Sequence, residues 1–480
     1  MLENDHDSNL RSPTPSCKPS HQSTPKQGKK LPSKAKTPLR VLNINFQSIK
    51  RKQHLVKNII ESTKPDIVIG TETWLEPEIK NNEIFPNEYK IYRRDRKEKQ
   101  GGGVLIAVKD HFISDEVEDL SPDDRCEMIW AKIEIVGCKT LYISSFYNPK
   151  TSDEQSLKWF NISVRRASQI KNAALLIGGD FNHPNWDWKN KILKPNSSHL
   201  KQHYFFGDIL DDLGLTQVVE HPTRKDNILD LVITNLPNQV SRTEIMPGIS
   251  DHDIVFLEFN LTPKKVKQIP RNIPLYKKAN WADFKTELNN TYDIMRQEAH
   301  KMTVNELWHK FKTKMNELVI KHIPHKKLSS KPKTPWVTPE TKTLMKRRDR
   351  LYKKMKKSGN VELKTKYKKL KHHVQKELRH SYWSYIENIV TPKENNDSYS
   401  NMKQFWSYEK SKKTDYSGIS SLKENGKIIT DPKHKSNILN EQFQSVFSDP
   451  VNITESDFKN DQYMQGSSTY PNIHHNTTRY

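Results

Sequence analysis

Six apolar runs of strand length between Arg40 and Leu261 each carry a carboxylate, an amide, a phenol or an imidazole at or near one end. Asn43 and Asn45 share one face of RVLNINF, opposite Leu42, Ile44 and Phe46. Glu72 closes DIVIGTE, Tyr147 ends TLYISSFY, and Asp180 and Asn182 follow ALLIGG. Asp230 interrupts NILDLVIT, and Asp251 and His252 open HDIVFLEF. Such groups are costly to bury unpaired. Scattered surface charge has no preference for strand ends, whereas a shared mouth does. The runs GVLIAV and EMIWAKIEI add further strands, and helical spacing appears at Leu55, Val56, Ile59 and Ile60 and again around Trp159 to Val164. HYFFGDILDDLGL reads as an amphipathic helix with Gly214 as its C-cap. Strands and helices mix without strict alternation, which predicts an α/β fold of two packed sheets with helices outside, rather than a doubly wound parallel sheet.

The chain has 480 residues, of which 33% are hydrophobic, too few for one packed core over the whole length. Residues 1–38, rich in Pro, Ser and Lys, predict a disordered basic tail. Residues 39–262 predict the cored domain, 263–390 a mostly helical and strongly basic connector, and 391–480 a polar, loosely ordered segment with a short hairpin at KENGKIIT. Within 341–380 there are 16 Lys or Arg against 3 Asp or Glu, a large part of the net charge of +23. Leu363, Tyr367, Leu370, Val374 and Leu378 form an apolar stripe there, and Ser358-Gly359-Asn360 separates this helix from the one before. The excess charge points to a polyanion, nucleic acid before an anionic membrane, with Lys346, Arg347 and Arg348 as candidate contacts. Three scattered cysteines without a CxxC pair exclude a zinc knuckle and a disulfide framework. No run of about 18 apolar residues predicts a membrane span, and the N-terminus lacks a secretory h-region. The runs KQGKK and PSKAK are candidates for nuclear import, and a nuclear location is the expectation for a DNA target.

Carboxylate and amide oxygens without thiolates suit Mg²⁺, or Mn²⁺, over zinc. Glu72 with an Asn fits an ion that keeps most of its waters. Asp180 can orient and deprotonate water, and a protonated His252 can stabilise charge on a phosphate oxygen. This is the equipment of in-line phosphodiester hydrolysis, where positioning and charge neutralisation dominate. Arg224, in a PTR turn, is a candidate phosphate contact. The glycines at 101–103 precede a strand and lack GKS/T, so they read as a turn and not a phosphate loop.

LNINFQS, TETWL, SFYNP, GGDFN, ILDLVITN and SDHDIV, in that order, resemble the endonuclease/exonuclease/phosphatase superfamily. The resemblance implies a four-layer αββα sandwich. RRDRKEKQGGGVLIAV, HPTRKDNILDLVITN and PWVTPE further resemble the endonuclease of jockey-like non-LTR retrotransposons, with 262–450 similar to the connector that leads into a reverse transcriptase. No FADD-type polymerase sequence is present, so nuclease and connector are expected without a polymerase. By position, the resemblance implies that Glu72, Asn43 and Asp251 serve the metal and leaving group. It implies that Asn43 and Tyr147 serve the phosphate, that Asp180 and Asn182 serve the attacking water, and that Asp230 fixes the ring of His252. Asn45 stands where some relatives have Asp and others Asn. The expected function is Mg²⁺-dependent nicking of duplex DNA to leave a 3′-hydroxyl primer, with element RNA as a possible second partner of the connector. The alternatives are a phosphatase or phosphodiesterase acting on lipid or small phosphoesters, and an inactive nucleic-acid-binding remnant.

Overall fold

The computed structural model describes residues 37–96, 101–122, 126–137, 139–266, 272–327, 334–391, 398–413, 419, 422–425, 427–429 and 431–446. The expected N-terminal tail and its basic runs, and the end of the C-terminal segment from 447, lie outside the described residues. Contacts divide the chain after Thr37, and all that follows concerns the unit from Pro38 onward.

In chain order the strands and helices of the first part are β1 (Leu39–Asn45), α1 (Gln53–Thr63), β2 (Ile67–Thr71), α2 (Asn81–Ile84), β3 (Tyr89–Arg94), β4 (Val104–Lys109), β5 (Ser114–Glu116), β6 (Glu127–Glu134) and β7 (Thr140–Tyr147). There follow α3 (Glu154–Ser168), β8 (Ala173–Asp180), β9 (Trp186–Asp187), β10 (Ile192–Leu193), α4 (Leu200–Asp212), β11 (Thr216–Gln217), β12 (Asp230–Thr234), β13 (Val240–Met246) and β14 (Ile254–Phe259). Two six-stranded sheets result, in the orders β13-β14-β1-β2-β4-β3 and β11-β12-β8-β7-β6-β5. Each is mixed, with one parallel pair: β1 with β2, and β7 with β8. Each parallel pair is joined by a crossover helix, α1 or α3, because parallel neighbours cannot be linked by a tight turn.

Ile67, Ile69 and Ile106 from one sheet meet Ala131, Ile143 and Leu176 from the other, all of them fully buried. On the far side of the second sheet, Leu157 and Phe160 of α3 and Phe206 and Ile209 of α4 form a second apolar layer. α4 ends as expected, with Gly214 at φ +59. Pro65 follows α1, whose C-cap Lys64 is left-handed. This is the expected pair of packed sheets with outer helices.

Beyond the sandwich come β15 (Asn272–Pro274), α5 (Trp281–Glu298), α6 (Val304–His322), β16 (His325–Lys327), α7 (Pro339–Ser358), α8 (Val361–Val390), α9 (Ser398–Lys413), β17 (Leu422–Glu424), β18 (Lys427–Ile429) and α10 (Pro432–Gln444). Gly359 at φ +63 stops α7, and the Asn360 side chain caps α8 by accepting from the amides of Glu362 and Leu363. The expected hairpin at 423–430 is present as β17 paired with β18, displaced by one residue at its start. The polar segment after 391 contains α9 and α10, which its weak periodicity did not reveal.

α7 and α8, within the span read from sequence as a basic helical connector, pack against the sandwich. Met345, Val374 and Leu378 join Leu55 and Val56 of α1 and Leu42 and Ile44 of β1 in the apolar layer outside the first sheet. The stripe on α8 is therefore buried, with Tyr367, Val374 and Leu378 inside and Leu363 and Leu370 partly covered. Apolar area of this kind is worth about 25 cal/mol per Å² removed from water, which draws a basic hairpin onto the sheet despite its charge.

Candidate active site

The polar groups at the strand ends converge at one edge of the sandwich, where β1 and β2 of the first sheet face β8 and β12 of the second. The approach of the sheets depends on Gly178, and the pairing of β8 with β7 inside the second sheet depends on Gly179. An added Cβ at Gly178 would lie 2.8 Å from Ile69 Cδ1 across the interface, and one at Gly179, which has φ +146, would lie 1.8 Å from the carbonyl oxygen of Phe146. The close approach lets Asn43 reach across. Its Nδ2 donates to the carbonyls of Gly179 at 3.2 Å and Leu231 at 3.0 Å.

Asn45, one alternation nearer the strand end, occupies the centre. Its Nδ2 donates to Glu72 Oε1 at 2.9 Å and to Asp180 Oδ2 at 2.8 Å, while its Oδ1 accepts the amide of Gln47 at 3.0 Å. A single amide nitrogen thus holds both carboxylates, close enough for one ion and its waters to bridge. Glu72, directly after β2, and Asn182, two residues after β8, are both in the left-handed region, at φ +48 and +50. The Asn182 amide donates to Asp180 Oδ1 at 3.2 Å, and its Nδ2 donates to the carbonyl of Asn148 at 2.7 Å. Tyr147 lies opposite Asp180 in the β7–β8 register, and burial followed by the charges of Glu72 and Asp180 holds its phenol well above the ordinary tyrosine range.

His252 and Asp230 are buried together, with Nδ1 and Oδ2 2.8 Å apart. Thr223 Oγ1 accepts from the amides of Leu229 and Asp230 at 3.1 Å each, which sets the start of β12. Asp180, Asp230 and His252 each present a ligand-type atom within 4.8 Å of the others. Burial opposes charge on His252, but Asp230, Asp180 and Asp251 together raise it to about 9, so the ring is cationic at neutral pH. Burial, Asp230 and Glu72 raise the Asp180 carboxyl well above the usual carboxylate range.

Asp251 stands exposed beside this cluster, with Oδ1 4.0 Å from His252 Nε2. Arg224 grips its Oδ2 through Nε at 2.9 Å and Nη2 at 2.7 Å. The structure therefore brings together Glu72, Tyr147, Asp180, Asn182, Asp230, Asp251, His252 and Arg224. Asn43 lies behind them: its Nδ2 is committed to main-chain carbonyls, while its Oδ1 is buried without a hydrogen-bond partner. Lys346 and Arg347 are exposed on α7, and Arg348 pairs with Asp349 at 2.7 Å. Asn45 is the residue whose part the sequence reading left undefined. Its place on the same strand face as Asn43 was the available signal. His183, next to Asn182, is buried and stacked on Phe206, with burial lowering it to about 3.

The donor set suits a hard cation. It is oxygen-rich, it crowds Glu72 and Asp180 on one amide, and Asp230 Oδ1 is buried without a hydrogen-bond partner.

Two mixed sheets thus carry a carboxylate, amide and imidazole cluster at one shared edge. Residues 41–252 match the model of the endonuclease/exonuclease/phosphatase family, which supports that superfamily for this part of the chain. No curated protein matches the chain by sequence. Among solved structures, the endonuclease domain of TRAS1, a telomere-specific non-LTR retrotransposon, is similar at 16% identity and a TM-score of 0.37, over 47% of this chain and 99% of that one. The Xenopus laevis APE2 catalytic domain is similar at 14% identity and 0.40, over 48% and 94%. An AP endonuclease from Archaeoglobus fulgidus is similar at 18% identity and 0.36, over 46% and 99%.

Proposed function

We propose that the chain is a Mg²⁺-dependent endonuclease that nicks duplex DNA, the nuclease part of a jockey-like non-LTR retrotransposon. The observation that carries this reading is the joint placement of Glu72, Asp180 and the His252–Asp230 pair around Asn45. Asp180 accepts a proton from water held by the Asn182 region. Burial and the neighbouring Asp230 and Glu72 raise Asp180, which makes its carboxylate a stronger base than a free one. His252, cationic and held by Asp230, presents charge to a non-bridging phosphate oxygen as it becomes more negative. Tyr147, kept protonated by burial, donates a hydrogen bond to the phosphate. A divalent cation held by Glu72, with Asp251 nearby, would neutralise the phosphate and the departing 3′-oxygen. The products are a 5′-phosphate and a 3′-hydroxyl, the end that a reverse transcriptase can extend.

The same residues would serve a phosphomonoester. The exposed Lys346 and Arg347 favour a polyanion, and element RNA is a second ligand for that surface. Action on chromosomal DNA implies a nuclear location.

Nicking of supercoiled plasmid with Mg²⁺ tests the reading. Wild type should relax the plasmid, and Asp180→Ala and His252→Ala should not. Equal relaxation by wild type and both variants, or turnover of small phosphoesters in place of DNA, overturns it.

A further inference from the structure

We infer that the α7–α8 hairpin is a working part of the hydrolytic site, because Tyr352 and Lys371 hold the loop that carries His252. This rests on the nuclease reading for its activity measurement and stands on geometry alone for its second measurement.

The loop from Gly248 to Asp253 joins β13 to β14 and delivers Asp251 and His252 to the mouth. It is tightly folded. A Cβ on Gly248 would lie 1.7 Å from the His252 carbonyl oxygen. Ser250 Oγ donates to the carbonyl of Asn45 at 2.7 Å and accepts the amide of His252 at 3.1 Å, which ties the loop to β1. On its outer side the loop is held by the hairpin. Tyr352 of α7 donates from its hydroxyl to Asp253 Oδ2 at 2.7 Å, one residue after His252. Lys371 of α8 donates from Nζ to the carbonyl of Ser250 at 3.2 Å, two residues before it. Lys356 adds a bond to the carbonyl of Pro222 at 3.2 Å and an ion pair with Asp253 at 3.3 Å, so the turn bearing Arg224 is gripped from the same side.

These contacts fall on both flanks of His252, and none touches its ring. Tyr352 is only 2% exposed, and it packs against Tyr367 of α8 with ring centroids 5.2 Å apart. The two anchors therefore form one rigid support. Lys353 pairs with Glu244 of β13 at 2.6 Å, extending the attachment along the strand that leads into the loop. A group that stabilises a phosphorane must be placed to within a fraction of an ångström, and a 1 Å error can cost about a hundredfold in rate. Tyr352 and Lys371 are positioning residues in that sense.

The test uses the full chain and three substitutions: Tyr352→Phe, Lys371→Met and Lys371→Arg. With plasmid and Mg²⁺, Tyr352→Phe and Lys371→Met should each lower kcat by about ten- to a hundredfold with KM within about twofold. Lys371→Arg, which keeps a donor, should recover most of the loss. Hydrogen exchange is read in parallel, without substrate. The His252 and Asp253 amides, which donate to Ser250 Oγ and to the carbonyl of Thr223, should exchange faster in Tyr352→Phe and Lys371→Met while the β1 and β8 amides do not. Unchanged kcat with unchanged loop exchange overturns the inference. So does a loss that appears only as a raised KM, which would make the hairpin a substrate contact. If wild type nicks nothing, the nuclease reading fails, and the exchange measurement still decides whether the hairpin holds the loop.

Discussion

His252 Nδ1 and Asp230 Oδ2 lie 2.8 Å apart, with both side chains almost fully excluded from solvent. The pair fixes the ring and sets its charge. Because the folded value of about 9 exceeds the ordinary 6.5, the protonated ring contributes stability that is complete below pH 6.5 and is lost as pH rises through about 9. That contribution is on the order of 3 kcal/mol for a group this buried. Thermal unfolding in chelator should show the difference between wild type and His252→Gln shrinking across pH 6.5 to 9. Curves that run parallel through that window would contradict a cationic His252.

Asn45 separates two carboxylates that would otherwise repel. Asn45→Ala should lower kcat by about a hundredfold or more, since Glu72 and Asp180 lose their common donor. Asn45→Asp adds a third negative charge, so it should unfold at lower temperature in chelator and recover most of that loss when Mg²⁺ is added. Differential scanning calorimetry with and without Mg²⁺ reads both effects. A Mg²⁺ shift no larger in Asn45→Asp than in wild type would argue against an ion at this place.

Asn43 bonds two main-chain carbonyls of the second sheet, whereas Glu72 faces the mouth. Asn43→Ala should therefore cost about 1–3 kcal/mol of stability by leaving buried acceptors unpaired, with the Mg²⁺ concentration for half-maximal nicking little changed. Glu72→Gln should show the reverse pattern, with near-normal stability in chelator and a strongly raised Mg²⁺ requirement. Weakened Mg²⁺ dependence in Asn43→Ala would return that residue to the metal.

Gly179 and Gly137 make a matched comparison, since both have positive φ but only Gly179 is enclosed. Gly179→Ala should cost about 3 kcal/mol or more through collision with the Phe146 carbonyl. Gly137→Ala, with nothing within 4 Å of the new Cβ, should cost only about 1 kcal/mol. Denaturant unfolding midpoints distinguish the two, and equal losses would mean that β7 does not lie as close to β8 at Gly179 as described.

The elements themselves were legible in the sequence because their signals are local. Period-two alternation in RVLNINF, the Gly214 stop after α4, and the Ser358-Gly359-Asn360 break between α7 and α8 each act within a few residues. The polar strand ends, taken together, also announced a shared mouth. Which asparagine sits between the carboxylates was not legible. Asn45 and Asp180 are 135 residues apart, and their bond depends on how closely one sheet lies over the other, where Gly178 leaves room for Ile69. The place of the basic hairpin was equally hidden. Its apolar stripe showed that α8 needed a partner, but a stripe specifies burial without specifying the surface that provides it. Only the tertiary packing pairs Tyr352 with Asp253, 99 residues earlier, and so puts the hairpin against the loop of His252. Short-range preferences come from the backbone and neighbouring side chains, whereas long-range pairings exist only after the chain has closed on itself.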